Sequence, residues 1–87
     1  MIERIVTIKN KLGLHARPAA LFVQTAAKFS SQIKIIKDGQ EVDGKSIMGL
    51  MTLAAAFNTQ LKLLANGSDE NEAINELVGI FENGFGE

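Results

Sequence analysis

The sequence predicts an α+β domain with the element order β-α-β-β-α-β-α. Three observations support this prediction. Short segments rich in β-branched residues alternate with longer segments of helical periodicity, an Asp-Gly pair separates two neighbouring strand candidates, and 87 residues leave room for only one hydrophobic core. We therefore expect a single domain over residues 1–87, built as a four-stranded antiparallel sheet with its helices on one face.

The first strand and the first helix are predicted from residue type and spacing. The stretch IERIVTIK, residues 2–9, is rich in β-branched residues, which favours a strand. Pro18 favours the first turn of a helix, where its missing N–H group would have no partner in any case. The helix is predicted to run from residue 18 to 29, because apolar side chains recur at helical spacing at Ala19, Phe22, Val23, Ala26 and Phe29.

The remaining elements follow from turn signals and periodicity. QIKIIK and QEV, residues 32–37 and 40–42, are predicted strands joined by a two-residue turn at Asp38-Gly39. SIMGLMTLAAAF, residues 46–57, predicts a second helix that Asn58 closes in a left-handed conformation. TQLKLLA, residues 59–65, alternates as a fourth strand, and residues 67–86 predict a third helix that is capped by Ser68 or Asp69 and ended by Gly84.

Composition excludes several classes of protein. The net charge is −1, and the chain has no Tyr or Trp, which argues against nucleic-acid binding. The absence of cysteine excludes disulfides and thiolate catalysis and fits a cytoplasmic protein. We expect no signal peptide and no membrane insertion, because a strand begins almost at Met1 and the longest apolar stretch, GLMTLAAAF, is too short to span a bilayer.

Residues 39–46, GQEVDGKS, match the phosphate-loop pattern G-x-x-x-x-G-K-[ST] of nucleotide-binding proteins. That motif functions as a loop after a buried strand, with successive backbone N–H groups wrapped around the phosphates. Here Gly39 is needed for the hairpin turn, and Glu41 and Asp43 would place negative charge beside a polyphosphate. We interpret the match as coincidental; ATP binding is the observation that would favour an independent nucleotide-dependent enzyme instead.

The stretch GLHARPAA, residues 13–20, contains the only histidine and the only proline of the chain. A helix that begins near Pro18 would place His15 beside free first-turn N–H groups, which bind anions, and Arg17 would add a guanidinium suited to a phosphoryl group. A lone histidine is more often an exposed residue without a role, but Arg17 and Pro18 at these offsets favour a phosphoryl site, with Ala16 and Pro18 at the helix start. We expect no metal site, because no second soft ligand accompanies the histidine.

The second predicted helix is apolar around most of its circumference, and a helix on one side of a sheet buries only one stripe. We expect Leu50 and Leu53 to be core residues. The other apolar side chains of this helix suit a surface that docks partners, since methionines adapt to several of them. Together with two residues of the first helix, the predicted docking surface comprises Ala20, Leu21, Ile47, Met48 and Met51.

Two separate motifs, GLHARPAA at residues 13–20 and GKSIMGLM at residues 44–51, resemble those of the HPr family, the histidine-containing phosphocarrier proteins of the bacterial sugar phosphotransferase system. The likeness covers the whole chain in length, element order and the position of the histidine. It implies an open-faced β-sandwich with the strand order 1-4-2-3, which periodicity alone does not separate from a ferredoxin-like order.

The resemblance also implies a function. His15 would take a phosphoryl group at Nδ1 from enzyme I, charged by phosphoenolpyruvate, and pass it to the IIA components of sugar permeases. Arg17 corresponds to the family's phosphoryl-binding arginine and Ser46 to its regulatory serine, which a dedicated ATP-dependent kinase phosphorylates in Gram-positive-type systems. An HPr serine kinase/phosphorylase and a transcriptional regulator are thus further expected partners of a monomeric carrier that has no cofactor and is not itself an enzyme.

Two alternatives within this fold stay open. The protein could serve a purely regulatory phosphorelay that is not coupled to sugar uptake, or it could be an interaction module that uses its apolar surface and for which His15 is dispensable. Ser46 has a second interpretation as well, since serine is a common helix N-cap, and the two roles are compatible.

Overall fold

Four strands form one antiparallel sheet in the order β1-β4-β2-β3 in the computed structural model, which describes residues 1–87. The strands are β1 Ile2–Thr7, β2 Gln32–Lys37, β3 Gln40–Asp43 and β4 Gln60–Asn66. The helices α1 Ala16–Ala26, α2 Ile47–Thr52 and α3 Glu70–Glu82 are followed by a short 3₁₀ turn, Gly84–Gly86. The predicted α+β class, the element order and the sheet order 1-4-2-3 are confirmed.

One face of the sheet carries the core. Side chains of a strand alternate between its two faces, so the apolar residues at every second position of β2 and β4 share one side. The helices cover that side, and five of these side chains are buried: Ile33, Ile35, Leu61, Leu63 and Ala65. The opposite face is open to solvent, where Lys34 and Lys62 alternate with the core residues.

The β2–β3 hairpin is closed by the two-residue turn that the sequence predicts. Lys37 lies opposite Gln40, and the φ angles of Asp38 and Gly39 are 49° and 83°. Two positive φ angles at the central positions are the geometry that matches the twist of a two-residue hairpin, and Asp-Gly favours it. Because residues 40–43 lie in a strand, the phosphate-loop pattern does not form a phosphate-binding loop.

Helix α1 begins two residues earlier than predicted, at Ala16. The predicted start at Pro18 left Arg17 just outside the helix, whereas Arg17 lies inside it. Pro18 is the third helical residue and is still tolerated. The carbonyl group that a proline ring would clash with belongs to Leu14, which lies before the helix. The helix also ends earlier than predicted, because the amides of Lys28 and Phe29 donate to carbonyl groups three residues back and tighten the chain into turns.

Helix α2 is shorter than predicted: it ends at Thr52, not at residue 57. Ala54 adopts a left-handed φ of 49°, and the carbonyl oxygen of Ala55 accepts a hydrogen bond of 2.9 Å from the amide of Leu14. This tertiary contact outweighs the helix propensity of the three alanines. Asn58 has a φ of 70°, but it lies in the turn before β4 and does not cap α2, so that prediction is wrong in its location.

Helix α3 packs Ala73, Ile74, Leu77 and Phe81 into the core. Its N-cap position is Asp69, whose side chain does not cap the helix, and it ends before Gly84, which has a φ of 58°. Three phenylalanines connect α1, α3 and the turn that follows. The rings of Phe22 and Phe81 lie edge to face at 5.7 Å, and those of Phe81 and Phe85 at 4.9 Å. Phe85 therefore anchors the Gly84–Gly86 turn to the core.

Candidate functional site

His15 is the N-cap residue of α1. Its backbone is extended, with φ −84° and ψ −172°, and its carbonyl oxygen accepts a hydrogen bond of 3.0 Å from the amide of Ala19. No side-chain hydrogen bond caps this helix, so the free N–H groups of its first turn have no side-chain acceptor. The His15 side chain is 36% exposed. The ring thus lies beside the positive end of a helix, at a surface that a partner can reach.

A carboxylate from the opposite end of the chain contacts the ring. The Nε2 atom of His15 lies 2.8 Å from Oε2 and 3.1 Å from Oε1 of Glu87. The side-chain amide of Asn10 donates to Oε1 of Glu87 at 2.9 Å and to the carbonyl oxygen of Gly13 at 2.7 Å. These hydrogen bonds from Asn10 and His15 lower the pKa of Glu87. Sequence reasoning missed Glu87 and Asn10, because no local pattern links them to His15.

Arg17 is exposed at the second position of α1, and its guanidinium forms no hydrogen bond or ion pair within the chain. Its charge lies close enough to Glu87 to contribute to the lowered pKa of that carboxyl group, after the larger effects of Asn10 and His15. Ala16 is exposed beside it, whereas Pro18 is buried. A free guanidinium and the open helix end therefore lie on the same side of the molecule as His15.

Apolar side chains of α1 and α2 are exposed together, as the sequence predicts. Leu50 and Leu53 are buried in the core. Met48 is 75% exposed, and Leu21, Ile47 and Met51 are each about 40% exposed, at 38%, 43% and 41%. Ala20 is partly exposed. We call these residues, Ala20, Leu21, Ile47, Met48 and Met51, the α1–α2 apolar surface.

Ser46 is the N-cap residue of α2. Its Oγ accepts a hydrogen bond of 3.1 Å from the amide of Gly49, and its carbonyl oxygen accepts one of 3.0 Å from Leu50. The capping interpretation of Ser46 is thereby confirmed. The Nζ of the preceding residue, Lys45, donates a hydrogen bond of 2.7 Å to the carbonyl oxygen of Phe29, which lies in the turns that follow α1.

A shallow apolar hollow of about 260 Å³ borders His15 and is lined by Leu12, Leu14, His15, Ala54, Ala55 and Ala56. No group of three or more His, Cys, Asp or Glu side chains is arranged to hold a metal ion. None of the helices is long and apolar enough to cross a membrane.

A comparison with protein families matches residues 2–83 to the PTS-HPr family, described as the PTS HPr component phosphorylation site, where PTS is the phosphotransferase system. The chain belongs to the HPr family. It is 51% identical over 82 residues to the HPr-like protein Crh of Halalkalibacterium halodurans, covering 94% of this chain and 98% of that one. It is 48% identical over 87 residues to the phosphocarrier protein HPr of Cupriavidus necator, covering 100% and 98%.

Solved structures agree with the fold. The chain is similar to HPr-C-His from Thermoanaerobacter tengcongensis, with a TM-score of 0.96, 59% identity and coverage of 100% of this chain and 98% of that one. A structure of an HPr dimer from the same organism matches with a TM-score of 0.80 and 59% identity over the full length of both chains. The resemblance drawn from GLHARPAA and GKSIMGLM is confirmed, and family membership supports a phosphocarrier role in the phosphotransferase system.

Proposed function

We propose that the protein accepts a phosphoryl group on Nδ1 of His15 from enzyme I and passes it to IIA components of sugar permeases. The observation that carries this proposal is the position of His15 at the uncapped start of α1, with Arg17 exposed and unpaired beside it. Such a protein is a carrier rather than a free-standing catalyst, and it works as a monomer in the cytoplasm. Membership of the HPr family supports the proposal.

The chemistry needs a nucleophile and a preorganised positive environment. The electron pair on Nδ1 attacks phosphorus, an N–P bond forms, and the bond between phosphorus and its donor breaks with its electron pair left on the donor atom. The first-turn N–H groups of α1 and the Arg17 guanidinium stabilise the negative charge on the transferring oxygens. Transfer to a IIA component is the same step in reverse, with His15 as the leaving group.

The α1–α2 apolar surface supports docking of both partners. It lies on the two helices that have His15 and Ser46 as their N-cap residues, so a partner seated on it would have His15 at the edge of the contact. Exposed methionines adapt to more than one partner surface, which suits a carrier that must bind a donor and several acceptors in turn.

Ser46 is proposed as a regulatory phosphorylation site. A phosphate on its Oγ would meet the amide end of α2, so the modification would not unfold the helix. It would, however, place about −1.5 to −2 charges beside Ile47 and Met48. Partners that dock on the apolar surface would then have to desolvate this charge.

A second candidate is a regulatory phosphorelay that is not coupled to sugar uptake. The likeness to the HPr-like protein Crh, at 51% identity, supports this second candidate. Both candidates require phosphorylation, so the discriminating observation is whether phosphorylated protein passes its group to a IIA domain.

The test of the first proposal is incubation with phosphoenolpyruvate and purified enzyme I, followed by intact mass measurement. We expect one added phosphoryl group that survives alkali and is lost in acid, because a protonated phosphoramidate releases phosphate. His15→Ala should accept none. Labelling of His15→Ala at the normal rate would overturn the assignment, and a labelled protein that no IIA domain discharges would favour the second candidate.

A further inference from the structure

We propose that Glu87 is a positioning residue for His15: its carboxylate holds the ring through Nε2 and thereby keeps the reactive electron pair on Nδ1. This inference rests on the proposed phosphoryl transfer and extends it to a residue 72 positions away in the chain. It concerns which ring nitrogen carries the hydrogen and which way the ring faces.

The donor and acceptor capacities of Glu87 and of the imidazole ring determine the tautomer of His15. An ionised carboxylate can only accept hydrogen bonds, and both oxygens of Glu87 lie within 3.1 Å of Nε2. Nε2 must therefore carry the hydrogen. A neutral imidazole has a single N–H group, so Nδ1 is left with a free electron pair. The contact thus selects the nitrogen that the proposed reaction uses.

The carboxylate is itself held in place. Asn10 is only 4% exposed, and its side-chain amide nitrogen bridges Oε1 of Glu87 and the carbonyl oxygen of Gly13, two residues before the histidine. The same hydrogen bonds keep Glu87 ionised, because they lower its pKa. Asn10 therefore ties the carboxylate to the loop that carries His15.

The backbone before Glu87 is also anchored. Gly84, Phe85 and Gly86 have φ angles of 58°, 58° and 73°, three successive left-handed residues. A left-handed conformation is unfavourable for phenylalanine and persists only where the surroundings impose it. The Phe85 ring is buried against Phe81, and the amide of Glu87 donates to the carbonyl oxygen of Gly84 at 3.1 Å. The turn that precedes Glu87 is thus packed on the core and places Glu87 next to His15.

Positioning through Nε2 has a consequence for the reaction. When phosphorus bonds to Nδ1, the hydrogen on Nε2 stays where it is and continues to donate to Glu87. No proton has to move between the two nitrogens, and the ring does not have to rotate to present Nδ1. Loss of the carboxylate should therefore slow the transfer step without weakening the docking of the partner.

The single histidine makes the tautomer directly measurable. In protein labelled with ¹⁵N-histidine, at a pH where the ring is neutral, the two ring ¹⁵N shifts should show hydrogen on Nε2 for the unmodified chain. Glu87→Ala should show a mixture of tautomers. Glu87→Gln, whose amide oxygen still accepts a hydrogen bond, should restore most of the preference. Glu82→Ala, which removes an exposed carboxylate of α3, is the matched control and should resemble the unmodified chain.

The kinetic arm uses the same variants with enzyme I and phosphoenolpyruvate. We expect Glu87→Ala to lower kcat for phosphoryl acceptance roughly threefold to tenfold, the scale of one ordinary hydrogen bond at a partly exposed site, with KM unchanged. Glu82→Ala should leave both constants unchanged. Far-UV circular dichroism shows whether each variant is folded.

Three results would overturn the inference. One is an unchanged tautomer population in Glu87→Ala, another is an unchanged kcat in that variant, and the third is an effect confined to KM, which would assign Glu87 to docking. If the unmodified chain accepts no phosphoryl group, the proposed function fails, but the ¹⁵N shifts still decide whether Glu87 orders the ring.

Discussion

Asp69 and Ser31 join the start of α3 to the start of β2 through two hydrogen bonds on one carboxylate oxygen. The backbone amide of Ser31 donates to Oδ1 of Asp69 at 3.0 Å, and the Ser31 hydroxyl donates to the same oxygen. The amide of Ser30 donates to Oδ2 at 2.9 Å. These hydrogen bonds lower the pKa of Asp69 from its ordinary value of 3.8 to about 2, and the hydrogen bond from the Ser31 hydroxyl contributes most.

This pKa predicts a pH-dependent contribution to stability. Because the pKa of Asp69 is lower in the folded state, its contribution is fully present above the ordinary value of 3.8 and is lost as the pH falls through about 2. The unmodified chain should therefore be more stable than Asp69→Asn at neutral pH, and the difference should shrink between pH 4 and pH 2. Urea unfolding followed by circular dichroism measures it, since the chain has no Trp or Tyr for fluorescence. A gap that stays constant down to pH 2 would contradict the assignment.

Arg17→Ala should separate transfer from stability. The side chain is exposed and unpaired, so the free energy of unfolding should change by no more than about 0.5 kcal/mol. Acceptance from enzyme I and donation to a IIA domain should both fall sharply, because in the proposed reaction the guanidinium stabilises the transferring group in both directions. Urea unfolding and transfer rates measure the two effects. Lost stability with normal transfer by the folded fraction would assign Arg17 a structural role.

Met51→Glu and Met48→Glu should weaken the binding of enzyme I and of IIA domains while the domain stays folded. Both side chains are exposed, so an added charge is not buried in the free protein but would be buried in a complex. Titration calorimetry with each partner measures the affinity. Ile5→Glu is the matched control, since Ile5 is 62% exposed on β1, away from the α1–α2 apolar surface. An equal loss of affinity in Ile5→Glu would show that the effect does not depend on the α1–α2 apolar surface.

Ser46→Asp should be more stable than Ser46→Ala but should accept phosphoryl groups more slowly. Aspartate is a good N-cap, whereas alanine removes the acceptor for the amide of Gly49 and should cost about 1 kcal/mol. Ser46→Asp should nevertheless accept phosphoryl groups more slowly than Ser46→Ala, because its charge lies beside Ile47 and Met48. Urea unfolding curves measure the stability of the two variants, and phosphoryl acceptance from enzyme I measures their rates. Equal rates would leave the capping role as the only one.

Ala54→Gly should stabilise the domain. The φ of 49° at Ala54 costs an L-residue about 1–2 kcal/mol, whereas glycine adopts it freely. The greater freedom of glycine in the unfolded chain offsets part of this gain, so we expect a net increase of about 0.5 kcal/mol in the free energy of unfolding. Ala56→Gly, at a position without a positive φ, is the control and should destabilise. A lower stability of Ala54→Gly would show that the methyl group outweighs the backbone strain.

The features that could be predicted from the sequence have local causes. The hairpin turn depends on Asp38 and Gly39 alone, and the Ser46 cap acts on an amide three residues away. The exposure of Met48 and Met51 follows from the limited width of the buried stripe of a helix. The strand order required the resemblance to the HPr family, since periodicity does not distinguish the two arrangements.

The features that could not be predicted depend on contacts between distant segments. Alanine favours a helix, and only the packing of Gly13 and Leu14 against Ala55 explains why α2 stops early: a Cβ atom on Gly13 would lie 2.5 Å from the Ala55 carbonyl oxygen. The approach of Glu87 to His15 likewise exists only once α3 has packed and the Gly84–Gly86 turn has formed. The predicted site thus contained the proposed nucleophile and the arginine but not the carboxylate of Glu87 that contacts the ring.

The position of β1 at the edge of the sheet has a consequence for folding kinetics. β1 pairs only with β4, with Ile2 opposite Ala65, whereas β2 and β3 pair through a two-residue turn. Contacts between residues far apart in the chain must overcome the entropy of closing a long loop, which slows folding. The β2–β3 hairpin can therefore form early, while β1 can join the sheet only after β4 is in place. Among the strand pairs of this sheet, β1 and β4 are joined by the contacts of longest separation in sequence.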